Sequence, residues 1–99
     1  MADIMKESIE LDGARSLVFF CPGCKYYHSF RIEVGDALHV PVWTWNGDMG
    51  KPTFSPSLLV NGMTEQRCHS FVMDGKIQFL DGCWHELRGQ TVDIPELDW

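Results

Sequence analysis

Ninety-nine residues, 44% hydrophobic and 22% charged, describe one globular domain and not a disordered chain. Fourteen acidic side chains against eight basic ones give a net charge of −6. The Lys and Arg residues are scattered singly, which disfavours phosphate-driven binding to nucleic acid; only Lys25, Arg31 and Arg67 offer a local basic patch. The N-terminus lacks the basic and apolar regions of a signal peptide, and the apolar run Leu17–Cys21 is far shorter than the ~20 residues of a membrane span. The expectation is a cytoplasmic chain whose cysteines serve as thiols or metal ligands.

Taken in order, the segments read as β. Ile4–Leu11 alternates loosely, and Asp12-Gly13 offers a turn into Ser16–Phe20. Phe30, Ile32 and Val34 repeat at period two and end at Gly35-Asp36. Leu38–Trp45 is β-prone but broken by Pro41, and Asn46-Gly47-Asp48 and Gly50-Lys51-Pro52 punctuate a loop. Leu58-Leu59-Val60 ends at the turn signal Asn61-Gly62. Cys68–Leu80 reads as a hairpin about Asp74-Gly75, a pair suited to a two-residue type I′ turn. Trp84–Arg88 is long enough for one or two helical turns, and Gln90–Ile94 is a closing strand. The fold predicted is mainly β with little helix: a small single-domain antiparallel sandwich or barrel-like roll carrying a zinc knuckle. Residues 1–99 form one zinc-binding domain, with 1–3 and 96–99 as tails.

Cys21-Pro22-Gly23-Cys24 is the most informative tetrapeptide. Two thiolates so spaced grip one ion when the chain turns tightly between them; Pro fixes φ at the start and Gly frees it at the end. A redox pair of this spacing needs a following helix, whereas Lys25-Tyr26-Tyr27-His28-Ser29 leads into another strand pattern. Two further ligands are sought among His28, Cys68, His69, Cys83 and His85. In the Asp74-Gly75 hairpin, Val72 faces Ile77 and Ser70 faces Phe79, so Cys68 shares the apolar face and His69 points away. Parity carried past Leu80 brings Cys83 and His85 to the Cys68 side. The expected zinc ligands are Cys21, Cys24, Cys68 and His85, with Cys83, His28 and His69 as alternates.

Other features have bland readings. Trp43 and Trp45 are an aromatic ledge or core beside a turn. The hydroxyl-rich Lys51–Ser57 stretch reads as a stiff loop, and with no nucleophile elbow about Ser55 or Ser57 a serine hydrolase is not expected. His85-Glu86 fails the deaminase pattern in order and spacing.

Cys21-Pro-Gly-Cys24, His28, Trp45-Asn-Gly-Asp48, Pro52-Thr-Phe-Ser-Pro-Ser57, Cys68-His-Ser-Phe-Val72, Asp74-Gly75 and the stretch from Phe79 to Val92 together resemble a family of small tailed-phage and prophage proteins of unknown function. Some members carry an "ammonia monooxygenase" label, which does not suit so short a soluble chain. Gly82 departs from the family pattern, as does the bulky, acidic Trp84-His85-Glu86. The resemblance implies a phage accessory protein made in the bacterial cytoplasm. The reading that follows is a zinc-stabilised module binding a host protein or small ligand. The alternative is a small zinc-dependent hydrolase whose metal-bound water is served by Asp81 or Glu86 as base. A third reading is redox work by Cys21 and Cys24.

Overall fold

Alternating side chains fold this chain into strands whose apolar faces meet. The computed structural model describes residues 4–9, 11, 13–33 and 42–97. Among them, strands β1 (Lys6–Ile9), β2 (Arg15–Cys21) and β3 (Tyr26–Glu33) form an antiparallel meander. Leu17, Phe19 and Cys21 of β2 are buried, as period two requires, and Leu17 lies opposite the buried Phe30 of β3. Asp12 and the Val34–Pro41 segment, where a turn, a strand end and a strand start were expected, lie outside the described residues.

A two-stranded ribbon of β4 (Thr44–Trp45) and β5 (Phe54–Ser55) covers this meander. Its loop is held by side chains: Asp48 Oδ1 accepts the N–H groups of Gly50 and Lys51, and Asn46 Oδ1 those of Asp48 and Thr53. The aromatic ledge resolves into packing. Phe30 stacks flat on Phe54 with centroids 3.9 Å apart, Trp43 meets Phe30 edge-on at 5.5 Å, and Trp45 lies over Phe54 at 6.5 Å. Phe30→Ala, emptying the centre of this stack, is expected to cost about 3–5 kcal/mol in urea unfolding.

The third sheet is an antiparallel set of β6 (Leu58–Val60), β7 (Cys68–Met73), β8 (Lys76–Phe79) and β9 (Thr91–Asp93), in that order. Its central hairpin has the predicted register: Val72 faces Ile77 and Ser70 faces Phe79. Asp74 and Gly75 both have positive φ, 50° and 76°, as a type I′ turn demands. Cys68, Ser70, Val72, Ile77 and Phe79 are buried, while Phe71, Met73 and Gln78 are exposed. Where one or two helical turns were expected at Trp84–Arg88, the chain makes two overlapping turns that share Leu87 and Arg88, Arg88 N–H to His85 O and Gln90 N–H to Leu87 O. Gly89, at φ 78°, ends them and returns the chain to β9. The domain is all-β with three antiparallel sheets. No helix among the described residues is long and apolar enough to cross a membrane.

Candidate metal centre and serine–histidine pair

The knuckle sits at the tip of the β2–β3 hairpin. Lys25 N–H closes it onto Cys21 O at 2.8 Å, and Cys24 N–H donates to Cys21 Sγ at 3.4 Å. The left-handed residue is Lys25, φ 56°, and not Gly23 as the tetrapeptide suggested. Gly23 is needed for a different reason: a Cβ there would overlap the His85 ring, which lies against the loop. Gly23→Ala is therefore expected to displace His85 at about 1–3 kcal/mol, seen as a fall of several degrees in the thermal midpoint.

Facing the knuckle is the start of β7. The ligand atoms of Cys21, Cys24, His28 and Cys68 all lie within 4.8 Å of one another, and so do those of Cys68, Cys83 and His85. These six residues, sharing Cys68, can hold a metal ion. His28 Nδ1–H donates to Tyr27 O at 3.0 Å, which leaves the lone pair on Nε2; that atom is buried with no hydrogen-bond partner among the described residues. His85 is occupied at both nitrogens. Leu87 N–H donates to its Nδ1 at 3.3 Å, so the proton is on Nε2, 3.5 Å from Cys68 Sγ. Trp84 Nε1–H donates to Cys24 Sγ at 3.4 Å, which gives the bulky departure at that position a task.

Electrostatics agree with a site made for a cation. The hydrogen bond from Cys68 pulls the Cys21 thiol down to about 4, and the same bond pushes Cys68 up. Burial pushes Cys24 up and His85 down, so that the imidazole is neutral. Adjacent thiols cannot all ionise alone; a dication among them removes that conflict.

His69 joins neither group, consistent with its opposite parity. On the outer face of the third sheet its Nε2 lies 2.8 Å from Ser57 Oγ. Ser57 immediately precedes β6, and His69 lies opposite Leu59 in the β6–β7 ladder. Trp43 Nε1–H donates to Ser57 O at 3.1 Å, fixing the serine backbone. The exposed Leu59, Phe71 and Met73 share this face by parity. Sequence reasoning passed over this pair because it looked for a nucleophile elbow. The available signal was a histidine on the solvent face of β7 beside a hydroxyl-rich loop. Asp81 and Glu86, expected as bases beside a metal, are exposed and join neither cysteine group.

An all-β domain with a Cys/His cluster between two sheets and a serine–histidine pair on the outer face of one of them is the class that fold and site define. The chain belongs to the BubE family, described as the bacterial ubiquitination-like system serine protease, whose family model matches residues 2–80. The matched span contains Cys21, Cys24, His28, Ser57, Cys68 and His69. No curated protein and no solved structure matches the chain.

Proposed function

We propose that this chain is a serine-type peptidase of a bacterial ubiquitination-like system, with Ser57 as nucleophile, His69 as general base and a structural zinc held by Cys21, Cys24, His28 and Cys68. The observation that carries the reading is the 2.8 Å contact of Ser57 Oγ with His69 Nε2, in a member of a serine protease family. Ser57 Oγ attacks the carbonyl carbon of the scissile bond as His69 Nε2 takes its proton. The imidazolium then protonates the departing amine, leaving an acyl group on Ser57. Water releases that acyl group, with His69 again accepting the proton. Leu59, Phe71 and Met73 beside the pair give substrate an apolar surface.

Three thiolates and one imidazole are a common closed zinc set, and the orphaned His28 Nε2 favours His28 over His85 as the fourth donor. In this proposal His85 and Trp84 donate N–H bonds to thiolates. A metal held there would supply charge neutralisation and would cross-link the β2–β3 hairpin to β7. With Cys21, Cys24, His28 and Cys68 all as donors, a zinc would have no open position for an activated water, and the Ser57–His69 pair supplies a nucleophile and base without one. A phage or prophage origin rests on the sequence resemblance alone.

The test is covalent. An alkyl fluorophosphonate should add to Ser57 of the wild-type chain, located by peptide mass spectrometry, and fail to add to His69→Ala. Absence of label on Ser57 in folded, metal-loaded protein would overturn the reading.

A further inference from the structure

The β7–β8 ladder ends at Ser70 opposite Phe79, one residue short of His69. Beyond it, one backbone bond persists, Leu80 N–H to His69 O, and a side chain takes the place of the other. The buried Cys83 Sγ accepts the N–H of His69 at 3.2 Å and lies 3.1 Å from the carbonyl oxygen of the same residue, to which its S–H donates. That S–H has a second and more distant acceptor in Cys68 Sγ at 3.9 Å. The thiol is itself held, since Cys83 N–H donates to Leu80 O at 3.1 Å and Leu80 N–H to His69 O at 3.0 Å. One sulfur thus grips both polar groups of the His69 backbone from the inner side of the sheet, while the imidazole reaches Ser57 on the outer side.

We propose that Cys83 is a positioning residue for His69, its thiol fixing the backbone from which the imidazole meets Ser57. This rests on the serine-peptidase reading and adds to it a role for a cysteine outside the proposed metal set. A backbone held at both N–H and C=O cannot rotate about its strand axis, so the Nε2 to Oγ contact keeps its length and direction. A ligand role for Cys83 would instead require its S–H to be lost.

The experiment compares wild type, Cys83→Ala and Cys83→Ser, each metal-loaded. The readouts are the rate of fluorophosphonate addition to Ser57, kcat and KM for p-nitrophenyl acetate, zinc per chain, and hydrogen exchange of the His69 amide. Cys83→Ala should slow labelling at least tenfold and lower kcat with KM nearly unchanged. It should keep its zinc and lose protection at the His69 amide. Cys83→Ser, which retains a donor and an acceptor, should recover most of the rate. Wild-type labelling speed in the alanine variant overturns the inference while the peptidase reading stands. Loss of zinc in either variant overturns it by making Cys83 a ligand. If the alanine variant does not fold, the serine variant and the wild-type exchange decide: an unprotected His69 amide in wild type overturns the clamp. No labelling of wild type removes the peptidase reading and this inference together.

Discussion

Ser57→Ala is expected to lower kcat against a peptide substrate by about 10⁴-fold or more, with the fold intact. The change removes one half-buried hydroxyl and its hydrogen bond, so the stability loss should stay near ~1 kcal/mol. Nucleophile and base act as a unit, and so His69→Ala should cost about as much as Ser57→Ala. The double variant should be little worse than either, because nothing remains for the second change to remove. Full additivity in that cycle would mean the two side chains act independently, and their 2.8 Å contact would have no catalytic meaning. Trp43→Phe is the useful control, since it keeps ring packing on Phe30 but drops the N–H donated to Ser57 O.

Removal of the metal should have the larger effect on the molecule as a whole. Structural zinc in small domains contributes on the order of 10 kcal/mol or more, which equals or exceeds the ~5–15 kcal/mol by which a domain of this size is stable. Without it, the crowded thiols of Cys21 and Cys68 would have only each other and neighbouring N–H groups, His28 Nε2 would have no hydrogen-bond partner among the described residues, and β7 would no longer be tied to the knuckle. A strong chelator is therefore expected to abolish the cooperative thermal transition, and added zinc to restore it. Cys68→Ser should mimic the chelator most severely, because Cys68 belongs to both ligand groupings. Acid should act in the same direction, since protons compete with a metal for its thiolate donors. An unchanged thermal midpoint after verified metal removal would overturn the structural role.

Period two and the Asp74-Gly75 turn made the β7–β8 hairpin legible in the sequence, with its register and buried face. The knuckle was legible too, because its chemistry is local to four residues. The rest depended on pairing across loops that carry no register signal. Ser57 and His69 meet because Leu59 falls opposite His69, yet the seven residues between β6 and β7 leave that register open. The weight on His28 against His85 was hidden for a similar reason. Parity put His85 on the Cys68 side, and its ring does lie beside Cys68 although the chain there is a run of turns; which nitrogen of each ring is already occupied depends on Tyr27 O and Leu87 N–H, neither of which alternation reveals. The overlapping turns that replace a helix after Trp84 escaped because a short polar segment offers no periodicity to distinguish a turn from a helix.

The Asp74-Gly75 turn has a consequence for chemistry far from itself. Cys68 and His69 are neighbours with opposite duties, one facing inward to sulfur and one outward to Ser57. A slip of β7 by a single residue would send every side chain of the strand to the other face. In one direction it would present the Cys68 thiol to Ser57, and in the other the His69 imidazole to the knuckle; either way both groupings would be broken while every strand remained in place. The two positive φ angles of this turn thus act as a phase lock, and a loop-lengthening insertion at the hairpin tip would dephase nucleophile and metal together.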